Sequence, residues 1–167
     1  MSQIKTNIEF VKEEIKKTLN KCERNDDVTL IAVSKTVGVE QINEALDSGI
    51  ENLGENKVQE VEKKYPNVSK KAIWHLIGTL QTNKVKYIIK TIDLIHSLDR
   101  IPLAKEIDKR AKENDLIMDC LVQVNISLED SKHGLLAEDV ETFVKEVSLN
   151  YNTTRIVALT GMAALPA

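Results

Sequence analysis

"TLIAVSKT", residues 29–36, is the stretch on which the reading of this chain turns. Val28 and Leu30 to Val33 form an uncharged apolar run, and Lys35 follows where the run ends. A short apolar run of this kind reads as a buried strand, and near-continuous apolar strands belong to parallel sheets with helices outside. The period changes on both sides of it. Upstream, Ile4, Ile8, Val11, Ile15 and Leu19 recur at helical spacing. Downstream, "VEQINEALDSG" (39–49) reads as a helix stopped by Gly49.

The alternation continues to the end of the chain. Strands are predicted at 50–54, 72–78 and 91–97, within 116–127, and from 155 onward. Helices are predicted at 55–65, ending before Pro66, at 81–90, at 100–114 with Pro102 in the first turn, and at 137–149. The order is one helix, five strand–helix units and a sixth strand. Two α/β architectures fit, an open doubly wound sheet and a (β/α)₈ barrel. No glycine-rich phosphate fingerprint follows any strand, which weakens the nucleotide-binding form of the first. A complete barrel takes ~250 residues, two strand–helix units more than the 167 here. The length suits a single domain over 1–167.

Bulk properties exclude several function classes. The net charge of −3 gives no basic footprint, so neither nucleic acid nor an acidic membrane surface is an expected partner. Cys22 and Cys120 match no metal or redox spacing and read as reduced thiols. The amino-terminal segment is charged throughout, and no apolar run approaches a membrane span. A cytoplasmic protein is the expectation.

In both architectures ligands bind at the C-terminal ends of the strands. Those ends carry Ser34-Lys35-Thr36, Gly54-Glu55-Asn56, Gly78-Thr79 after His75, His96-Ser97, and Asn125 with the following Ser131-Lys132-His133-Gly134. Side chains alternate along a strand, so Lys35 shares a face with Val33 and Ile31. In a barrel that face is the interior, and Lys35 points into the mouth. Partial desolvation there would favour the neutral amine, which can condense with a carbonyl carbon. The competing reading is a strand-end lysine reaching for water.

Seven segments occur in order along the chain: "AVSKT" (32–36), "NLGENKVQE" (52–60), "WHLIGTLQTNKVK" (74–86), "IHSLDR" (95–100), "VQVNIS" (122–127), "EDSKHG" (129–134) and "TGMAALPA" (160–167). Together they closely resemble the YggS-type pyridoxal phosphate homeostasis proteins, and the resemblance covers essentially the whole chain. It implies an α/β barrel of the alanine-racemase N-terminal type, incomplete here at about six strands. It also implies pyridoxal 5′-phosphate (PLP) held as an imine on Lys35, with Asn56 and His75 as further cofactor-binding residues. The implied role is PLP binding, buffering and delivery, with apo-PLP enzymes as partners and no established catalytic turnover. No catalytic residue and no metal ligand is implied. The family pattern is a monomer that continues beyond Ala167 into serine, glycine and arginine contacts to the cofactor, and it has methionine where this chain has Ala163. By that comparison the chain is expected to be C-terminally truncated, with open sheet edges available for self-pairing. Each charge-assisted phosphate hydrogen bond contributes about 1.5–3 kcal/mol. Losing several should weaken PLP binding by about three decades.

Two other functions compete. A PLP-dependent racemase or decarboxylase needs a general acid or base beside the substrate, for which His75, His96 and His133 qualify by type. A metal-dependent barrel hydrolase would gather the same three histidines, without paired-ligand spacing to support it. The charged run "KKYPNVSKK" (63–71) reads as a solvated helix end and loop. In "LQTNKVK" (80–86), Asn83 and Lys84 read as a polar first helical turn, with an anion or partner contact as the alternative.

Overall fold

The computed structural model describes residues 2–126 and 133–161. The Ser131-Lys132 pair and the 162–167 segment with Ala163 lie outside them. The elements are α1 (Gln3–Lys21), β1 (Ile31–Val33), α2 (Val39–Asp47), β2 (Asn52–Glu55), α3 (Val58–Lys64) and β3 (Ile73–Leu76). They continue with α4 (Val85–Ile88), β4 (Leu94–Leu98), α5 (Ile101–Lys112), β5 (Met118–Val124), α6 (Val140–Asn150) and β6 (Thr154–Gly161).

All six strands are parallel and lie in the order β1-β2-β3-β4-β5-β6. This order separates the two architectures left open by the pattern. A doubly wound sheet reverses its strand order at a switch point, whereas this one adds each strand on the same side. With right-handed crossovers, growth in one direction puts every connecting helix on one face. The result is an incomplete (β/α) barrel, with β1 and β6 as unclosed edges.

The core lies between the sheet's outer face and the helices. Leu53, Trp74, Leu76, Ile95, Cys120 and Val122 point outward and are buried against Ile42, Val61, Ile88, Leu103, Ile107 and Val147. The opposite face stays open, and Val33 and Ile73 there are 48% and 43% exposed. Helix α1 has no buried residue. It touches the core through half-buried Ile4 and Ile8, and Lys12 Nζ donates to the Gly49 carbonyl at 2.8 Å. Both cysteines are free, Cys22 exposed and Cys120 buried.

Local chemistry explains the boundaries. Helix α2 ends as expected at Gly49 (φ +85°): the Ile50 amide reaches the Ala45 carbonyl and the Gly49 amide the Leu46 carbonyl. That pair of bonds satisfies the last turn and requires a left-handed residue. Several predicted elements are shorter in the structure. Glu55 stays in β2, where its carbonyl accepts the Ile77 amide, so α3 starts at Val58 rather than at 55. The helix expected over 81–90 is a 3₁₀ turn, Thr82–Lys84, followed by the four-residue α4. Thr91 and Ile92 amides close onto the Ile88 carbonyl, which delays β4 to Leu94. No helix among the described residues is long and apolar enough to cross a membrane.

One polar cluster ties α5 to the entry of β6. Asp108 is buried, and its Oδ1 accepts from the Thr153 amide at 3.0 Å and lies 2.8 Å from the Thr153 hydroxyl. Lys112 donates to Oδ2 at 2.7 Å. Burial opposes the charge, but the bonds from Lys112 and Thr153 outweigh it and hold the carboxyl below its ordinary value. A depressed carboxyl pKa adds stability above the unfolded value of 3.8 that is lost as the pH falls through the folded value. Asp108→Ala should cost about 2–3 kcal/mol at pH 7 in urea unfolding, with the deficit shrinking below pH 4.

Candidate functional site

Strand β1 is three residues long and forms a sheet edge, so it needs outside help to hold its end still. That help comes from behind the sheet. Ser34 and Glu55 are buried at the ends of β1 and β2, and Lys64 turns inward from the last turn of α3. Lys64 Nζ donates to Glu55 Oε1 at 2.7 Å, to the Ser34 carbonyl at 2.8 Å and to Glu60 Oε2 at 3.0 Å. The Ser34 hydroxyl donates to the same Glu55 oxygen at 2.7 Å. Burial works against the ammonium, but its bonds to Glu55 and Glu60 dominate and raise its pKa above the ordinary value. The Ser34 carbonyl also accepts the Val37 amide at 3.0 Å, closing a tight turn around Lys35 and Thr36. Thr36 sits at φ +64°, an uncommon conformation for a β-branched residue, so the surroundings must enforce the turn.

The turn delivers Lys35 to the inner side. Lys35 and Val33 share a wall of a cleft of about 540 Å³ at the C-terminal strand ends, as their parity predicts. Asn56 lines the same cleft from the end of β2, as do Thr79 after β3, His96 in β4, Gln123 in β5 and Thr160 in β6. All six strand ends, that of β1 included, are therefore represented. Gly78 sets the distance between two of them, because a methyl group there would overlap the backbone of Asn56. Arg100 fixes the next loop, donating to the Leu80 carbonyl at 2.6 Å.

Two expectations are corrected. Lys35 is exposed, so the described residues do not supply the desolvation anticipated for its amine; the open inner face admits water. His75 does not line the cleft. It is buried beneath it, with Nε2 2.9 Å from Asn52 Oδ1 and Nδ1 2.9 Å from His96 Nε2. Since Asn52 Oδ1 only accepts, His75 donates from Nε2 and accepts at Nδ1 the proton on His96 Nε2. Both rings are then neutral. Burial lowers the His75 pKa despite Asp93 nearby, and burial followed by His75 pushes His96 down to about 4. His133 lines the cleft apart from this pair. Among the described residues no group of three His, Cys, Asp or Glu side chains is placed to hold a metal ion.

Sequence reasoning missed the buried ion pair. Lys64 belongs to a charged run that reads as solvated, and the rest of the 63–71 run is exposed or half-buried. The only available signal was that Lys64 lies three residues after buried Val61 and thus on the inward side of α3.

Removing one partner of a buried pair leaves an uncompensated charge. Lys64→Met should destabilise the protein by about 3–5 kcal/mol in urea unfolding, and adding Glu55→Gln should recover a large part of that loss. The histidine pair makes its own forecast. A base with a depressed folded pKa contributes stability that is complete above the ordinary value of 6.5 and is lost as the pH falls toward about 4. Unfolding midpoints should therefore fall between pH 7.5 and 4.5, and His96→Gln should flatten that fall.

The alanine racemase N-terminal domain family matches residues 2–165. The pyridoxal phosphate homeostasis protein of Aquifex aeolicus is 40% identical over 151 residues, covering 89% of this chain and 66% of the relative. That of Escherichia coli K12 is 32% identical over 172 residues, covering all of this chain and 72% of the relative. The solved structure of PipY from Synechococcus elongatus with PLP bound superposes at a TM-score of 0.81 with 28% identity, over 99% of this chain and 73% of that one. A Clostridium difficile alanine racemase, 13% identical at a TM-score of 0.69 over 84% of this chain and 37% of that one, shares the fold. The chain thus spans roughly two thirds of the length of its curated relatives. On its sequence, its strand order and its strand-end residues together, the chain belongs to the alanine racemase N-terminal domain family, among the pyridoxal phosphate homeostasis proteins.

Proposed function

We propose that this chain binds pyridoxal 5′-phosphate on Lys35 and serves vitamin B6 homeostasis as a cytoplasmic carrier, handing the cofactor to apo-enzymes. The observation that carries the reading is the Lys35 turn: a primary amine held on a cleft wall by a buried ion pair behind it. The donor set fits the group. A cleft of about 540 Å³ lies within the range of small-molecule sites. Lys35 is the nucleophile, Asn56 supplies amide hydrogen-bonding groups, and Gln123 and Thr160 supply neutral polar contacts across the cleft. The cofactor's aldehyde supplies the electrophilic carbon that a lysine amine attacks.

The protein's own part is to present and orient. Lys64 and Glu55 hold the strand end, the turn aims Lys35, and Gly78 lets the Asn56 backbone approach. His75 supports the floor through His96 and Asn52 rather than by direct contact. The same arrangement favours a carrier over a racemase. An imidazole with a pKa of about 4 is neutral at pH 7 and ill-matched to proton transfer there, and its Nε2 proton is committed to His75.

Titration with PLP, followed by the visible band of a lysine-bound pyridoxal chromophore, tests the reading. Lys35→Ala should abolish the band and weaken binding at least tenfold, with an unchanged thermal melt. An equal band in Lys35→Ala would reject Lys35 as the attachment point.

A further inference from the structure

Beside the cofactor cleft lies a smaller pocket of about 280 Å³ that shares Asn56 and Thr79 with it. Its other polar lining residues are Lys57, Gln59, Gln81 and Lys84, and no carboxylate lines it. In a chain with 26 acidic residues and a net charge of −3, two lysines without a lining acid are unusual.

The two lysines are placed by the same local device. The tripeptide Asn-Lys-Val occurs at 56–58 and again at 83–85. Each time the lysine immediately precedes a helix, α3 or α4, and the valine is buried in the core. Burying the valine fixes the first turn, so each lysine stands at the mouth of its own strand–helix unit. The units are consecutive, and their strands β2 and β3 pair directly. The loops between them are rigid: Gly78 packs on the Asn56 backbone, and Arg100 holds the Leu80 carbonyl.

Neither lysine makes an ion pair among the described residues. Lys84 lies 5.4 Å from the centre of the Tyr87 ring, which Lys86 also approaches at 4.9 Å. Glu60, three residues beyond Lys57, is bonded to Lys64 at 3.0 Å and feels the Lys57 charge only through space. Neither ammonium group is bonded to a carboxylate among the described residues, and amide and hydroxyl donors from Asn56, Gln59, Gln81 and Thr79 line the same pocket.

We propose that Lys57 and Lys84 form an oxyanion-binding subsite that takes the carboxylate or phosphate of a molecule entering the neighbouring cleft. The occupant's role rests on the reading of that cleft as the cofactor site, but the anion site itself does not. An acid docked here stands next to the Lys35 cleft, where its reactive end can meet whatever the lysine carries. Two cations lining one pocket attract such an anion more strongly than either alone.

Amide NMR titrations with inorganic phosphate and, separately, with acetate test the subsite. At low salt, saturable shifts should centre on residues 56–59 and 79–84. Lys57→Gln/Lys84→Gln should weaken them at least tenfold with an unchanged thermal melt, and Lys35→Ala should leave them intact. Tighter binding of phosphate would identify a phosphate-bearing occupant, and tighter binding of acetate a carboxylate. Equal affinity in the double variant, shifts centred elsewhere, or the absence of saturation with both anions would overturn the proposal. Loss of the chromophore in Lys35→Ala with these shifts preserved separates failure of one site from failure of the other.

Discussion

A salt link buried behind the sheet governs the site in front of it. Lys64 and Glu55 meet at 2.7 Å with side chains 5% and 0% exposed, and they share Ser34 between them. An apolar pair of similar volume would often be equally or more stable at such a position. What an apolar pair lacks is direction. The ammonium bonds the Ser34 carbonyl and the carboxylate accepts the Ser34 hydroxyl, so both ends of one residue are specified. Ser34 is the last point at which the chain can be held before it turns at Thr36. Positional definition of Lys35 is therefore bought inside the core rather than at the mouth.

Topology determines what that amine can meet. Because the six strands add in sequence order, their C-terminal ends form one continuous arc, and each connecting loop lies beside the next. Small residues close the gaps along the arc. A methyl group on Gly54 would crowd Ile31 and Ile77, and one on Gly78 would overlap the Asn56 backbone. Bulkier residues there would spread the loops and separate Lys35 from Asn56. Below the arc, Asn52, His75 and His96 make a neutral hydrogen-bonded layer between the site and the apolar inner face.

Much of this was legible from residue order. The alternation of periods identified every strand, and the side-chain parity of Val33 and Lys35 correctly put both on the inner wall. Residue order put Asn56 among the strand-end residues, one residue beyond β2, while its expected part in holding a cofactor came from the family resemblance. Elements governed by tertiary contacts were harder to read. Glu55 looks like the first residue of a helix, yet its carbonyl is claimed by the Ile77 amide of the neighbouring strand. His75 is a strand residue of the inner face, but whether it reaches a ligand depends on Asn52 and His96, twenty or more residues away in sequence. Lys64 looks like a surface charge because its buried partners, Glu55 and the Ser34 carbonyl, lie outside its helix. Such long-range pairings leave no period in the sequence.

Helix α1 stands apart from this economy of fixed positions. Its 19 residues bury nothing completely, and its side-chain anchor to the rest of the fold is the Lys12 bond to Gly49 with Ile4 and Ile8 beneath. Segments with so few buried contacts open at much lower free energy than the whole domain. The helix can lift away while the parallel strands stay paired, so its amides will trade hydrogen for deuterium long before those of β4 and β5. The molecule thus behaves as two tiers of rigidity, a firm arc of strands and a loosely moored outer helix.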